Sequence, residues 1–327
     1  MKRREFITIV GGAAAWPLGA RAQPLAQPVI GFIHPGSPEA AARYVAAFRK
    51  SLNEAGYVED QNVTVEYHWL EGRYDGLAAL AADLVRRRVT LIATPGSAKI
   101  ALVAKAATAT IPIVFGVSED PVRLGLVTSL DRPGGNATGI NYFQTELAAK
   151  RLRLLHDLLP KAVRIAVLFN PTTGQTAEAT LREVQDAAPT MGLQIKVFNA
   201  ETIGEIDVAF AAIAREHPDA LFVVPDIFYA ARAVQLAGLT ARNRIPSAYW
   251  NRDIVVAGGL LSYGTDVADM FRQVGIYTGS ILKGAKPADL PVQQSTKFEF
   301  VINLQTARVL DIEVPSGLLA IADDVIE

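Results

Sequence analysis

Small polar and aromatic residues follow several short hydrophobic segments, and their types suit the binding of a small polar ligand. Serine and threonine hydroxyls, together with nearby backbone N–H groups, can hold a carboxylate, whereas Asp120 or Asp226 can hold an ammonium group. Aromatic rings can pack against an apolar or aromatic part of the ligand. The candidate ligand-binding residues are Ser37, Thr94, Ser97, Ser118, Asp120, Tyr142, Asn170, Thr172, Asp226, Tyr249 and Trp250.

Each candidate also has a purely structural interpretation. Ser, Thr and Asp at a strand-to-helix junction most often cap the helix, and Ser37, Ser97 and Thr172 could cap and bind at once. Tyr142 and Trp250 could belong to the hydrophobic core instead. Both interpretations therefore stay open at this point.

No sequence pattern typical of catalysis or of a bound cofactor is present. We find no G-x-G-x-x-G after the first predicted strand, no P-loop and no G-x-S-x-G, so we expect no nucleotide cofactor and no catalytic residues. The chain has no cysteine, and its four histidines form no i, i+4 pair, so we expect no metal site. A secreted hydrolase that uses Ser37 or Ser97 with His34 is the one enzymatic alternative.

The elements that position these residues alternate between short β-branched strands and amphipathic helices. Val29–Ile33 is predicted as a buried strand, and Tyr44, Val45, Phe48 and Leu52 then share one face of a helix. The same alternation continues along the chain, which predicts βαβ units and parallel sheets. Ligands bind such sheets beyond the carboxyl ends of the strands, where the candidate residues lie.

Four sequence landmarks recur at nearly constant spacing, which indicates two copies of one unit. The pairs are Pro35 with Pro171 and Gly56 with Gly192, each 136 residues apart, Pro95 with Pro225, 130 apart, and Ile111-Pro112 with Ile245-Pro246, 134 apart. The predicted fold is α/β, with two doubly wound parallel-sheet lobes joined by a three-strand hinge.

The helix predicted after Thr265 has no counterpart between the two copies, so we expect it to return to the first lobe. Phe298–Asn303 would then cross back to the second lobe. The predicted division is an export signal peptide over 1–22, a first lobe over 28–140 plus 265–292, and a second lobe over 141–264 plus 293–327.

The N-terminus is typical of an export signal. Lys2, Arg3 and Arg4 precede a weakly hydrophobic stretch, Phe6–Leu18, and Ala20-Arg21-Ala22 matches a cleavage site. The paired arginines favour the twin-arginine route over the general secretory route. We therefore expect a periplasmic protein, cleaved near Ala22, without a lipid anchor and without direct membrane insertion.

The formal net charge of −1 gives no basic excess that would indicate nucleic-acid binding. A transcription regulator with a similar two-lobe core would need a basic helix-turn-helix before the first strand, where this chain has the export signal. We expect a monomer whose partner is a small-molecule ligand.

Three stretches carry a resemblance to a known family: Val29–Pro38, Ser118–Pro121 with its continuation Leu130–Gly139, and Arg164–Pro171. They resemble the ABC-transporter substrate-binding proteins of the tryptophan-binding-like type, which have the type I periplasmic-binding-protein fold. Glu119 departs from the Thr-Asp or Ser-Asp pairing expected before the proline of that family's motif.

The resemblance implies a fold that closes two lobes around a ligand, with no enzymatic activity. It also implies handover of the ligand to an ABC permease with a cytoplasmic ATPase, and an amino acid or aromatic carboxylate as the ligand. An extracellular sensor that docks on a chemoreceptor is the alternative function. The ligand-facing positions that the resemblance implies are Ser37, Ser97, Ser118, Asp120, Asn170, Asp226 and Tyr249–Trp250.

Overall fold

The computed structural model describes residues 27–327, so the predicted export signal lies outside the described residues. The strands are β1 (Val29–His34), β2 (Thr64–Trp69), β3 (Leu91–Pro95), β4 (Ile113–Val117), β5 (Ala137–Asn141), β6 (Arg164–Phe169), β7 (Gln194–Asn199), β8 (Ala220–Val223), β9 (Ser247–Tyr249), β10 (Leu261–Thr265), β11 (Gln293–Gln294), β12 (Phe298–Asn303) and β13 (Asp324–Ile326).

The helices connect these strands. They are α1 (Pro38–Glu54), α2 (Leu77–Arg86), α3 (Ala98–Ala107), α4 (Ala148–Leu158), α5 (Gln175–Ala187), α6 (Ile203–Glu216), α7 (Ile227–Ala230), α8 (Ala233–Arg242), α9 (Arg252–Val256), α10 (Val267–Leu282), α11 (Leu304–Val309) and α12 (Ser316–Ile321). Among the described residues, no helix is both long enough and apolar enough to span a bilayer.

Two separate sheets organise the chain, and each defines one lobe. The first has the order β11-β5-β4-β3-β1-β2, and all its neighbouring strands are parallel. The second has the order β13-β12-β10-β9-β8-β6-β7, in which only β12 and β10 pair antiparallel. The predicted α/β fold with two parallel-sheet lobes is confirmed, with this one antiparallel pair added.

Both faces of each sheet are covered, which explains why the strands are almost continuously hydrophobic. In the first sheet Phe32 contributes to the core on one face and Ile33 to the core on the other. In the second sheet Val167 and Leu168 divide between two cores in the same way. Successive strand side chains point to opposite faces, so one strand supplies both layers.

The chain passes between the lobes three times. It leaves the first sheet after Asn141, returns after Thr265 and leaves again after Gln294. The hydrogen-bonding ladders therefore place Asn141 and Gln293 in the first sheet and Thr265 in the second, one or two residues from the predicted boundaries.

Helix α10 belongs to the first lobe, although its residues follow most of the second lobe in sequence. Its residues Phe271 and Val274 share a core with Phe32 and Phe48. Gly275 lies at the contact with α1, where an added Cβ would approach the Phe48 carbonyl oxygen to 2.6 Å and also collide with Ser51 Oγ. The absence of a side chain at this position lets the two helices pack in close contact.

Candidate functional site

The candidate site lies between the lobes, where loops after the carboxyl ends of strands meet. Tyr44 in α1 donates a hydrogen bond to Asp253 Oδ2, and Arg43 lies 3.2 Å from Asp253 Oδ1. Asn251 Nδ2 donates to the Tyr44 hydroxyl at 3.3 Å. We call these four residues the clasp. Burial, followed by the negative charge of Asp253, raises the pKa of Tyr44 above its usual range.

The first-lobe rim consists of residues that also cap helices. Ser37 Oγ accepts from Ala40 N at 3.3 Å, and Ser97 Oγ accepts from Ile100 N at 3.4 Å, so each begins its helix as an N-cap. Thr94 differs from both because its hydroxyl is buried and has no hydrogen-bond partner in residues 27–327. A buried hydroxyl without a partner is unfavourable. A ligand group that forms a hydrogen bond with the Thr94 hydroxyl would therefore be stabilising.

Ser118 and Asp120 contribute differently to this rim. Ser118 Oγ donates to Glu119 Oε2 at 3.1 Å. Asp120 is exposed, and its Oδ1 accepts from the backbone N–H groups of Val122 at 2.8 Å and Arg123 at 3.2 Å. The Asp120 carboxylate therefore stabilises its own turn and remains in contact with solvent.

The second-lobe rim is built around Asp226, which is only 7% exposed. Its Oδ1 accepts from Tyr229 N at 3.0 Å, which caps α7, and its Oδ2 accepts from Asn170 Nδ2 at 3.1 Å and from Thr173 Oγ1. Asn170 Oδ1 in turn accepts from the backbone N and the hydroxyl of Thr172. These contacts fix the position of the Asp226 carboxylate.

No positively charged side chain within residues 27–327 forms an ion pair with Asp226. The pKa of Tyr74 in the first lobe is raised by burial and, to a smaller extent, by the negative charge of Asp226. Its contact with Ser97 lowers the same pKa. A buried carboxylate without a cationic partner is unfavourable, so this position favours a cationic ligand group.

Aromatic residues line the hinge end of the cleft. Tyr142 and Trp250, 8% and 7% exposed, line a small cavity of about 10 Å³ that opens to solvent, together with Phe143, Gln144, Arg151, Gly264, Thr265 and Val267. The structure does not bring Tyr249 into this group. Its ring is fully buried in the core of the second lobe, with its hydroxyl 3.4 Å from Thr240 Oγ1.

His34 lies behind the first-lobe rim in an aromatic environment. Its Nδ1 accepts from Gly36 N at 3.0 Å, and its ring lies 5.4 Å from Trp69 and 5.6 Å from Phe271 between centroids. Desolvation by burial lowers the pKa of His34 to about 4. The uncharged ring thus orders the Pro35-Gly36 turn next to Ser37.

This burial predicts an acid-sensitive fold. The pKa of His34 is about 4 when folded and its ordinary value is 6.5, so the unfolded chain binds more protons between these values. Stability should be unaffected by His34 above pH 6.5 and should fall by up to about 3 kcal/mol as the pH drops towards 4. The free energy of unfolding from urea titrations, plotted against pH, should have different slopes for wild type and His34→Gln only in this window. Equal slopes would contradict the prediction.

No group of three or more His, Asp or Glu side chains in the described part of the chain is arranged to hold a metal ion. Sequence reasoning missed Tyr44, Tyr74 and Asp253. Their signal is weak, because an aromatic or acidic residue on a helix or loop has no pattern until its partner in the other lobe is known.

Comparison with known proteins gives consistent results. The sequence model of the family described as ABC transporter substrate binding protein matches residues 30–326. A tyrosine-binding protein of Clostridioides difficile (strain R20291) is 27% identical over 269 residues, which are 81% of this chain and 76% of that protein.

Solved structures match over nearly the whole chain. The ABC domain from Streptococcus pneumonia in complex with L-Trp is 26% identical, with a TM-score of 0.82, over 92% of this chain and 100% of that one. A conserved domain protein from Vibrio cholerae is 25% identical, with a TM-score of 0.81, over 91% of this chain and 99% of that one.

Proposed function

Because the chain belongs to the family of ABC transporter substrate binding proteins, we propose that it binds an aromatic amino acid between its lobes and delivers it to an ABC permease. The permease would be powered by a cytoplasmic ATPase, and the protein would act in the periplasm after export. The observation that carries the choice of an amino acid is the buried Asp226 carboxylate, for which residues 27–327 supply no cationic partner. The tyrosine and L-Trp in the names of two similar proteins support the aromatic class.

In this proposal Asp226 receives the ligand's ammonium group. A carboxylate that already accepts hydrogen bonds from Asn170, Thr173 and Tyr229 is held in one orientation, so it loses little freedom when a ligand binds. An ammonium group would supply the missing positive charge, and the charge-assisted hydrogen bonds would be stronger than neutral ones.

The opposite rim supplies groups for the ligand's carboxylate. Ser97 begins α3 at the first-lobe rim, and the negative charge of Asp226 raises the pKa of the first-lobe Tyr74. The unpaired hydroxyl of Thr94 lies in β3, the strand that ends just before Ser97. We assign Thr94 and Ser97 to the carboxylate and the rings of Tyr142 and Trp250 to the aromatic side chain. Ser37, Asn170 and Thr172 then order the loops around the ligand.

Binding would shift the population from open to closed forms. The clasp joins α1 of the first lobe to the loop and helix that follow β9 of the second lobe, so it can form only when the lobes are closed. A ligand that contacts Asp226 and Ser97 together binds the closed form preferentially and therefore stabilises it.

The proposal is tested by isothermal calorimetry and thermal unfolding of the protein lacking residues 1–22. L-tyrosine, L-tryptophan and L-phenylalanine should bind, and at about 100 times the Kd they should add about 2.7 kcal/mol of stability. The matched control is 3-(4-hydroxyphenyl)propionate, which lacks only the ammonium group of tyrosine and should bind much more weakly. If none of the three amino acids binds, the proposed function is wrong.

A further inference from the structure

Arg151 of helix α4 is a fully buried arginine whose guanidinium is only partly satisfied. Its relative exposure is 0%, and its Nε donates to the backbone oxygen of Tyr263 at 2.8 Å. Neither Nη1 nor Nη2 has a hydrogen-bond partner among residues 27–327. An arginine is rarely buried without a partner, because a buried charge needs a counter-charge or a full set of hydrogen bonds.

The residues around Arg151 supply no negative charge. Within the described residues Arg151 forms no ion pair, and its guanidinium carbon lies 5.3 Å from the centre of the Phe222 ring. Burial lowers the pKa of Arg151 to about 9, an effect that Tyr263 opposes. The folded protein therefore holds a cation whose hydrogen-bonding capacity is largely unused.

The unpaired guanidinium lies at the cavity at the hinge end of the cleft. Arg151 lines this cavity of about 10 Å³ together with Tyr142 and Trp250, and with Thr265, where the chain returns to the first lobe. Pockets for whole small molecules are usually about 300–1,000 Å³. The cavity is about the size of one water molecule, so it has room for one small ion or for a single oxygen atom of an acidic group.

We propose that Arg151 forms a small-anion site at the hinge end of the cleft, separate from the rim that contains Asp226 and Ser97. The planar guanidinium presents two N–H-bearing nitrogens towards one side, which matches a carboxylate and can also hold a halide. The anion has two possible sources: a free ion, or an acidic group at the far end of the bound ligand. The second source rests on the proposed function, and the first does not.

Free anions are tested by thermal unfolding without ligand, with chloride or acetate replaced stepwise by the bulkier gluconate at constant sodium concentration. Wild type should unfold at least about 2 °C higher in saturating chloride or acetate. Arg151→Met should lose this difference and unfold in gluconate at the same or a higher temperature than wild type, because an unpaired buried cation is removed. The control Lys150→Met removes an exposed charge next to it and should keep the difference.

An acidic group of the ligand is tested by calorimetry with 4-carboxy-L-phenylalanine and L-phenylalanine. If the ligand supplies the anion, wild type should prefer the first by about tenfold or more, and Arg151→Met should lose that preference while still binding L-phenylalanine. Binding of L-phenylalanine itself reports on the proposed function, so failure of one proposal is distinguishable from failure of the other.

Either positive result supports the anion site and identifies its source. Should wild type show neither anion-specific stabilisation nor a preference for the carboxylated ligand, the inference is overturned, whether or not the methionine variant folds. It is also overturned if Arg151→Met lowers the unfolding temperature and leaves the anion dependence unchanged, since that result is expected from the Tyr263 hydrogen bond alone. Arg151→Lys, which retains a cation, should keep part of the anion effect.

Discussion

Replacing Asp226 with asparagine should weaken the binding of an aromatic amino acid by about 100-fold or more and leave the chain folded. The negative charge that faces the ligand's ammonium is lost, and the ammonium would then be buried without a counter-ion. Asparagine is as good an N-cap as aspartate, so its Oδ1 can still accept from Tyr229 N. Its Nδ2, however, cannot accept from Asn170 Nδ2 and Thr173 Oγ1, so urea unfolding should show a loss of about 1–3 kcal/mol, while calorimetry gives the affinity.

Asp120→Asn is the matched control for this prediction. Both carboxylates follow strands and both accept backbone hydrogen bonds, but Asp120 is exposed and Asp226 is buried. We expect Asp120→Asn to change affinity by less than about threefold, because a solvated carboxylate interacts weakly. If Asp120→Asn abolished binding and Asp226→Asn did not, the assignment of the ammonium group would be wrong.

A large effect on stability is also expected for Gly275→Ala in α10. An added Cβ would lie 2.6 Å from the Phe48 carbonyl oxygen, and a backbone atom inside α1 cannot move aside without shifting the helix. Overpacking of this kind costs about 1–3 kcal/mol, which exceeds the roughly 1 kcal/mol that alanine normally gains over glycine in a helix. We expect a net loss of up to about 2 kcal/mol in urea unfolding.

Gly238→Ala in α8 gives the comparison. Gly238 is also helical, but nothing lies within 4 Å of its added Cβ, so this variant should be more stable by about 0.5–1 kcal/mol. If the same substitution lowers stability at Gly275 and raises it at Gly238, the α1–α10 contact, and not helix propensity, determines the change at Gly275. Similar changes in both variants would contradict this.

The sequence predicts the fold well, because alternation of hydrophobic strands and amphipathic helices is local information. The segment Val29–Ile33 and the helix face of Tyr44 and Phe48 can be read from spacing alone. The recurrence of Pro35 as Pro171 also identifies the second lobe without any knowledge of contacts. The three crossings between the lobes follow from the helix after Thr265, which has no counterpart between the two copies of the repeat.

The site is harder to predict because its parts depend on contacts between distant segments. Asp120 and Asp226 look equivalent in sequence, and only their burial separates them. Arg151 did leave a signal, since it lies on the helix face that also carries Leu155 and Leu158, where an arginine is unexpected. The clasp could not be recognised as a unit in the sequence, because Tyr44 and Asp253 are 209 residues apart.

The position of α10 has a consequence for how the chain matures. The core of the first lobe contains Phe271 and Val274, and the edge of its sheet is β11. A nascent chain emerging from the ribosome therefore lacks an essential layer of its N-terminal lobe until residue 294 of 327 has been made. Neither lobe can therefore complete its fold before these late residues have been synthesised. A molecule able to bind the ligand exists only after that stage of translation, and not when the first half of the chain is complete.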